Sequence, residues 1–315
     1  MKVIASTGNE KVAMVYIAEL GDGQLVEFVE AVQPPHPRET KWVLLVSTMY
    51  GCPVGCLMCD AGGHYHGKVS KEDIFAQVDF LVRKRYPDGR VPAQQFKIQF
   101  ARMGEPSFNL EVLDVLEELP ARYDVPGFMP SISTIAPRGV DRFFERLLEI
   151  KRSKFSGGRF QFQFSIHTTD EKLRDQIIPV KKWSFARMAA YGEDFFEAGD
   201  RKVTLNFALA RDMPVDPAVL REHFDPAKFL IKITPLNPTH QARQSGLSSY
   251  IDPKQASQDY EVVQALQGVG YQTIVSIGEL EENYIGSNCG QYVRKHLAAA
   301  RLIEDGYTYP VQEYL

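Results

Sequence analysis

Residues 44–62 read LLVSTMYGCPVGCLMCDAG, and this stretch decides how the rest of the sequence is interpreted. It leaves an apolar run, WVLLVS (42–47), that is typical of a buried strand, and it continues into a glycine-bearing loop. The loop carries Cys52, Cys56 and Cys59, whereas Cys289 lies far away in the sequence. Thiols clustered in this way, without a secretion signal, indicate metal binding or chemistry rather than a disulfide framework.

An apolar run followed by a helix-like stretch recurs after this loop. Ser70 and Ser184 are predicted N-caps of two of the helices. Six alternations with short connections predict a parallel sheet covered by helices and curled into a partial or full barrel, with the active site at the carboxyl ends of the strands. The pattern alone also allows a flat, doubly wound sheet. The predicted strands are 42–47, 96–101, 129–134, 159–166, 203–210 and 229–236, and the predicted helices are 71–85, 110–119, 140–152, 184–199 and 216–224.

The segments on either side of this α/β core divide the chain into three predicted parts. Residues 1–40 form a β-hairpin extension, in which apolar runs flank Gly21-Asp22-Gly23. Residues 41–240 form the barrel. Residues 241–315 form a C-terminal extension that carries Cys289, with a helix at about 253–268, a strand at 271–277 and a helix after Asn288.

The composition restricts location and partners. No apolar run approaches the roughly 20 residues of a membrane span, and charged residues interrupt the apolar N-terminal stretches. We therefore expect a soluble, cytoplasmic protein without a membrane partner. The net charge is −4 and the pI about 6.0. A nucleic-acid substrate is thus permitted but not indicated, because proteins that grip phosphate backbones usually carry a basic surplus.

The three clustered thiols are too few to complete a protein-ligated iron–sulfur cubane, which uses four. Three thiolates leave one iron of a 4Fe–4S cluster free for a small chelator, and an amino acid's amine and carboxylate suit that position. S-adenosylmethionine (SAM) offers both groups, and an electron from the cluster can split its sulfonium bond. The alternative is zinc, with Cys289, His64 or His66 as fourth ligand, but zinc sites usually show paired C-x2-C units and this chain has one.

The C-x3-C-x2-C loop after the first barrel strand resembles the signature of the radical SAM superfamily. Its neighbourhood resembles the RlmN/Cfr group of radical SAM carbon methyltransferases, which act on adenosine in RNA. This resemblance implies a partial (β/α)6 barrel, a 4Fe–4S cluster on Cys52, Cys56 and Cys59, and SAM. The matching segments, in family order, are 44–62, KEDIFAQV (71–78), MGEPSFN (103–109), SISTIAPRG (131–139), FQFSIHTTDEKLRDQIIPVKK (162–182), ITPLNP (233–238) and NCGQ (288–291).

The resemblance also assigns a SAM pocket at the predicted strand ends. It implies that Gly104 and Glu105 bind the methionyl amine, since glycine lets the backbone approach a ligand closely. Taken singly, the serines and asparagine of this set are typical turn or cap residues, and a lone histidine at a strand end is usually structural. The other positions that resemble SAM contacts are Ser133, Ser165, Ile166, His167 and Asn237.

Cys289 resembles the cysteine that this family methylates with one SAM before activating the S-methyl group and transferring its carbon through a covalent adduct. It precedes a predicted helix, whose N-terminus is expected to lower the thiol pKa. The family's second cysteine, which resolves the adduct, is replaced by Leu45. Glu27 resembles the family's proton acceptor; its other interpretation is a solvent-facing strand carboxylate.

These departures keep other functions open. About 40 residues precede the barrel, where long family members place an RNA-contacting domain. The main prediction is a methyltransferase with Cys289 as methyl carrier, RNA adenosine as candidate substrate, and an electron donor such as a flavodoxin or ferredoxin as partner. The alternative is a radical SAM enzyme of another reaction class, acting on a small molecule or peptide. A binding module without turnover is disfavoured, because the SAM-pocket motifs occur together.

Overall fold

The structure is a computed structural model, which describes residues 1–21, 23–254, 260–299 and 303–314. In it, parallel strands alternate with helices through the central part of the chain. The strands are β1 (Lys2–Asn9), β2 (Ala13–Glu19), β3 (Leu25–Val32), β4 (Lys41–Leu45), β5 (Met49–Cys52), β6 (Gly63–Lys68), β7 (Gln95–Phe100), β8 (Phe128–Thr134), β9 (Gln161–Ser165), β10 (Val203–Leu209), β11 (Phe229–Pro235), β12 (Thr273–Val275) and β13 (Val311–Glu313). The helices are α1 (Lys71–Arg85), α2 (Glu111–Arg122), α3 (Asp141–Lys154), α4 (Glu171–Ile177), α5 (Phe185–Phe195), α6 (Pro217–His223), α7 (His240–Gln244), α8 (Glu261–Gly268), α9 (Leu280–Ile285) and α10 (Val293–Ala299).

The order of the strands identifies the architecture. One eleven-stranded sheet has the order β12-β11-β10-β9-β8-β7-β4-β3-β2-β1-β13, and β5 and β6 form a separate hairpin. From β4 to β12 the strands are parallel and follow the chain without reversal. A doubly wound sheet reverses its order at a switch point, so the flat alternative is wrong. The predicted partial barrel with helices around it is confirmed.

The two faces of the parallel strands differ in chemistry. In β9, Phe162 and Phe164 belong to the main apolar core, which also contains side chains of α1, α2, α3 and α5. Gln163 and Ser165 alternate with them and are partly exposed. Because successive side chains of a strand point to opposite faces, these polar residues lie on the concave face of the sheet. The concave face is therefore polar and accessible, whereas the convex face is packed.

The predicted elements of the barrel agree with the structure. All six predicted strands are confirmed to within two residues at either end. The hydroxyls of Ser70 and Ser184 accept hydrogen bonds from backbone N–H groups in the first turns of α1 and α5, as N-caps do. None of the helices in the described ranges is both long and apolar enough to cross a bilayer.

The flanking segments extend the same sheet. The predicted hairpin is present as β2 and β3, with Asp22 of its turn outside the described residues, and β1 and β13 add two further antiparallel strands. At the other edge β12 pairs with β11. The helix predicted at about 253–268 begins at Glu261, and part of the predicted span, residues 255–259, lies outside the described residues.

Candidate cluster and SAM site

The loop with three cysteines is folded as a tight hairpin of β5 and β6. Gly51 has φ +75°, and a Cβ there would lie 2.6 Å from the carbonyl oxygen of His64. Glycine is therefore required for the two strands to approach each other. The hairpin carries His64 and His66 on its exposed part, and it leaves Cys52, Cys56 and Cys59 partly buried at its base.

The three thiols face one another. Burial raises the pKa of Cys52 to about 11, with the charge of Glu105 adding to it. Burial raises the pKa of Cys59 to about 12, and the pKa of Cys56 also lies well above its usual value because of burial and the charges of the other two sulfurs. A thiolate is the form that binds metal. Three thiols with raised pKa values at one place therefore need a cationic centre to become thiolates.

Backbone N–H groups are directed at these sulfurs. Those of Val54, Gly55 and Glu105 point to the Cys52 sulfur, and that of Ala61 points to the Cys59 sulfur. Hydrogen bonds to sulfur are one of the means by which proteins stabilise and tune iron–sulfur clusters. The residues present thus fit a cluster that binds three thiolates.

The zinc alternative finds no support in this geometry. Among the described residues, no three Cys, His, Asp or Glu side chains gather around one point as a single ion requires. A cubane spreads its ligands, because each thiolate binds a different iron. His64 and His66, the candidate fourth ligands, lie on the exposed hairpin.

Gly104 lies against the start of the cysteine hairpin. Its φ is +102°, and a Cβ would lie 2.6 Å from the Cβ and Cγ of Met49 and 2.9 Å from Oγ1 of Thr48. The missing side chain therefore makes room for the start of the cysteine hairpin. The expectation that its backbone approaches a ligand stays a prediction. Gly104 fixes the distance between the end of β7 and the cysteine loop.

Glu105 is buried and binds its own chain. Its Oε1 accepts hydrogen bonds from the Ser107 backbone and hydroxyl and, at 2.5 Å, from the Thr134 hydroxyl, while Oε2 accepts from the Ile135 backbone at 3.0 Å. Burial nevertheless raises the pKa of the carboxyl. Each carboxylate oxygen has two lone pairs, so Oε1 with its three donors is saturated. Oε2, with one donor from the chain, therefore keeps capacity for another.

The remaining predicted SAM positions lie at neighbouring strand ends. Ser133 pairs with Gln163 in the register of β8 and β9, and Ser165 pairs with Asn206. Both serines are partly exposed on the concave face. Ile166 is fully buried in the main core, so only its backbone is available to a ligand there.

His167 is held by the adjacent strand. It has a left-handed backbone, φ +67°, and its Nδ1 accepts a hydrogen bond from the Ala208 backbone at 3.0 Å. Burial, together with the charge of Arg174, lowers its pKa to about 3. The imidazole is therefore neutral at physiological pH, with Nδ1 occupied and Nε2 carrying the proton.

Cys289 is brought to the cysteine loop by contacts from two directions. The side-chain amide of Asn237 donates to the Cys289 carbonyl, and the Asp60 backbone donates to the Gly290 carbonyl at 2.8 Å. The Cys289 sulfur lies 3.4 Å from the Ala101 carbonyl oxygen at the end of β7, and its charge acts on Cys59. The structure thus assembles all four cysteines at the carboxyl ends of the strands.

The expected lowering of the Cys289 thiol pKa is wrong. Burial raises it, and the positive charges of Arg102 and Lys232 only partly oppose that effect. The helix that was expected to lower it, α10, begins at Val293, four residues further on, whereas a helix dipole acts mainly within the first turn. The residue as a whole is nevertheless exposed to solvent.

Arg102 is the functional candidate that sequence reasoning missed. Its guanidinium donates to the carbonyl oxygens of Gly286, Ser287 and Asn288, just ahead of Cys289, at 2.8 to 3.3 Å. Its Nη2 also lies 2.7 Å from Oε2 of Glu27, and both side chains have 0% exposure. The available signal was a basic residue at a predicted strand end, directly before the MGEP segment.

Glu27 is not the solvent-facing carboxylate of the alternative interpretation. Besides Arg102, it accepts a hydrogen bond from the Arg294 backbone at 2.9 Å. Burial raises its pKa, although Arg102 and these hydrogen bonds act in the opposite direction. Glu27 therefore links β3 to the segment that carries Cys289.

The chain is similar to several known proteins. No protein-family model matches the chain. It is 26% identical over 302 residues to a probable dual-specificity RNA methyltransferase RlmN of Desulfitobacterium hafniense (strain DSM 10664 / DCB-2), covering 93% of this chain and 77% of the relative. It is 28% identical over 187 residues to a dual-specificity RNA methyltransferase RlmN of Nautilia profundicola, covering 57% of this chain and about half, 49%, of that relative.

A solved structure shares the fold. A radical SAM methyltransferase from Sphaerobacter thermophilus superposes with a TM-score of 0.67 at 20% identity, covering 92% of this chain and 81% of the other. The chain therefore shares the fold of a radical SAM methyltransferase, and its three-thiol loop fits the 4Fe–4S cluster and SAM that the sequence predicts. Within that superfamily the chain is similar to the RlmN/Cfr group.

Proposed function

We propose that the protein is a carbon methyltransferase of the RlmN/Cfr type, which carries the methyl group on Cys289 and acts on an adenosine of RNA. The observation that carries this proposal is the position of Cys289. Its thiol is held beside the cysteine loop by Asn237, by the backbone of Asp60 and by Arg102. The two relatives are named as dual-specificity RNA methyltransferases, which supports RNA as the substrate.

The chain supplies ligands for the cofactors at the strand ends. In this proposal Cys52, Cys56 and Cys59 hold three irons of the cluster, and Oε2 of Glu105 accepts a hydrogen bond from the methionyl ammonium of SAM. When bound, the cluster and SAM supply the one-electron cleavage of the sulfonium bond and the methyl group. The backbone at Gly104 holds Glu105 against the cysteine loop.

The walls of the SAM pocket come from the neighbouring strands. Ser133 and Ser165 offer hydroxyls on the concave face, while Ile166 offers its backbone. His167 offers an Nε2 proton, because its Nδ1 is occupied. Asn237 offers its side-chain oxygen, since its amide nitrogen donates to Cys289. Polar groups that converge from several strand ends are the usual construction of a barrel site.

Methylation of Cys289 replaces the thiol proton with a methyl group. The raised pKa keeps this thiol protonated until a base takes the proton. Arg102 and Lys232, whose charges act on the sulfur, favour the thiolate once it forms. The later proton transfer from the acceptor carbon also needs a base. We assign it to Glu27, whose raised pKa makes it a better proton acceptor near neutral pH than an exposed carboxylate.

The alternative reaction class gains no support from the comparisons, since the relatives described above are named as methyltransferases. An electron donor such as a flavodoxin or ferredoxin and a cytoplasmic location stay predictions.

One anaerobic assay tests the proposed function. Reconstituted protein is incubated with SAM and dithionite, and the products are analysed for 5′-deoxyadenosine, S-adenosylhomocysteine and a 14-Da increment on the peptide with Cys289, the mass of one added CH2. The Cys289→Ala variant is expected to lose substrate methylation and keep the cluster. A Glu27→Gln variant is expected to stall after methylation of Cys289 or to trap the covalent adduct. Normal turnover by Cys289→Ala rules the methyl-carrier mechanism out.

A further inference from the structure

Lysine side chains from three strands meet on the concave face of the partial barrel. Lys97 alternates in β7 with Phe96 and Ile98, which pack in the main core, so its side chain is on the opposite, concave face. The charges that act on Lys97 are those of Lys232 in β11 and Lys41 in β4, followed by Arg201. Charged side chains from β4, its neighbour β7 and the more distant β11 therefore lie close enough to act on one another.

Lys97 differs from Lys151, another buried lysine of the described chain. Lys151, which is 1% exposed, lies 3.0 Å from Glu197 and also pairs with Asp200. Lys97 is 8% exposed, yet no residue in the described part of the chain forms an ion pair or hydrogen bond with its ammonium group or with that of Lys232. An ammonium group without a partner is costly to bury. Burial accordingly lowers the pKa of both lysines.

The carboxylate of Glu282 does not neutralise the charge of these lysines. The charge of Glu282 acts on Lys232, but its Oε2 accepts a hydrogen bond from the Glu279 backbone as part of the N-terminal cap of α9. It forms no ion pair with Lys232 in the described structure. The other side chains on this face near Lys232, such as Asn206 and Thr234, are neutral. The concave face thus has an excess of positive charge.

The lysines lie below the proposed methyl carrier. The charge of Lys232 acts on the Cys289 sulfur. That sulfur contacts the carbonyl of Ala101, four residues beyond Lys97 on the same side of its strand, or about 13 Å at roughly 3.3 Å per residue. A molecule the size of a nucleotide spans this distance. One end then lies at the lysines and the other at Cys289.

We propose that Lys97 and Lys232 form the binding site for a phosphate group of the methyl acceptor. This inference rests on the proposed function, because it takes Cys289 as the methyl carrier. Lysine is a common phosphate ligand that acts as a point charge, and two such charges attract both the monoanion of an internal phosphodiester and a terminal phosphate. Lys41, the first residue of β4, donates a hydrogen bond to Gln33, and its charge adds to the positive potential at Lys97.

The test measures binding of inorganic phosphate to the anaerobically reconstituted protein by calorimetry. Lys97→Met and Lys232→Met are each expected to weaken phosphate binding about ten-fold or more, the effect of losing a charge-assisted hydrogen bond. Lys11→Met, an exposed lysine in the turn after β1, is the matched control and should bind as the wild type does. Equal phosphate affinity in wild type, Lys97→Met and Lys232→Met overturns the proposal.

Thermal unfolding without phosphate gives a second readout. Removing an uncompensated buried charge should raise the melting temperature of Lys97→Met, whereas loss of a lysine with a purely structural role lowers it. A lowered melting temperature together with unchanged phosphate affinity shows that Lys97 has a structural role, and it refutes the proposed phosphate site. SAM affinity is measured in the same variants, and its loss with phosphate affinity kept assigns the lysines to SAM instead.

Two further ligands identify the source of the phosphate. Adenosine 5′-monophosphate carries a terminal phosphate, a short oligoribonucleotide carries internal phosphates, and adenosine is the uncharged reference. Lysine-dependent binding of either phosphate compound supports the site, and binding that equals that of adenosine contradicts it. Methylation of Cys289, assayed separately, reports on the proposed function. Lysine-dependent binding without Cys289 methylation therefore refutes the methyl-carrier mechanism, while the reverse result refutes the phosphate site.

Discussion

Replacing Arg102 tests whether a buried ion pair holds the loop of Cys289. Arg102 and Glu27 are both fully buried with 2.7 Å between Nη2 and Oε2. Removing one partner of such a pair costs about 3–5 kcal/mol, because the other charge stays buried without compensation. Loss of the hydrogen bonds to the carbonyls of residues 286–288 adds about 1 kcal/mol for each bond. We therefore expect Arg102→Met to lower the free energy of unfolding by at least about 4 kcal/mol.

A double-mutant cycle separates the charge from the packing. In Arg102→Met/Glu27→Gln no buried charge is left unpaired, so the combined loss should be smaller than the sum of the single losses by about 2 kcal/mol or more. Urea unfolding measures the free energies, and the rate of Cys289 alkylation measures the position of the loop. Arg142→Met, at an exposed arginine of α3, serves as the control.

The alkylation rate of Cys289 should increase in Arg102→Met and stay unchanged in Arg142→Met, because only the first variant frees the loop. Strict additivity in the cycle, or an Arg102→Met protein within about 0.5 kcal/mol of the wild type, contradicts the reasoning, since surface changes alone stay in that range.

Three further predictions concern the cofactor site. Cys56→Ala should abolish iron binding on anaerobic reconstitution, measured as iron and sulfide per chain together with the absorbance near ~400 nm expected of such clusters; bound zinc without iron in the wild type rules out the cluster. Glu105→Ala should weaken SAM binding about ten- to a hundred-fold while iron content is kept, because a charge-assisted hydrogen bond is lost. His167, whose pKa is about 3 when folded against 6.5 as its ordinary value, binds a proton on unfolding at acidic pH, so stability present above pH 6.5 is lost as the pH falls towards 3. Between pH 7.5 and 5 the free energy of unfolding should fall by about 2 kcal/mol. The variant His167→Asn, whose asparagine tolerates the left-handed backbone, should flatten the pH profile measured by urea unfolding by that amount. An unchanged profile excludes His167 as the titrating group.

The barrel was predictable from sequence because its signals are local. Each strand has its own apolar run, and parallel strands that alternate with helices place their carboxyl ends at one edge. The cysteine loop and the strand-end serines could therefore be assigned to one site before the structure was known. The hairpin of β5 and β6 was not predicted, since its pairing depends on glycines with left-handed backbones rather than on an apolar pattern.

The contacts that position the side chains of the site could not be predicted from the sequence, because the residues that form them are far apart in the chain. Arg102 and the carbonyl of Ser287 are 185 residues apart, and no motif contains both. Lys97 and Lys232 lie in ordinary strand patterns, and only the curvature of the sheet brings them together. Gly104 shows the reverse case, in which the sequence identified the residue and the structure adds a packing contact with Met49 and Thr48 that no motif predicted.

Leu45 and Glu27 lie on neighbouring strands of the sheet. Leu45 pairs with Val29 in the register of β4 and β3, and both pack with Ile285 and Val293 in the second apolar cluster. Glu27 lies two residues before Val29 and so on the same face of the sheet. The position of the family's second cysteine is therefore apolar and without acid–base capacity, but a carboxylate stands next to it.

The carboxylate of Glu27 can take up a proton and is connected to the loop of Cys289. Its pKa is raised by burial, and Arg102 connects it to the carbonyls of the loop that presents Cys289. Because the pair is fully buried, a proton that reaches Glu27 weakens its bond to Arg102 and thereby loosens the hold on that loop. In the proposed mechanism, proton transfer to Glu27 and the position of the loop that presents Cys289 are coupled through a single guanidinium, which is why the Glu27→Gln and Arg102→Met variants are expected to fail at the same step.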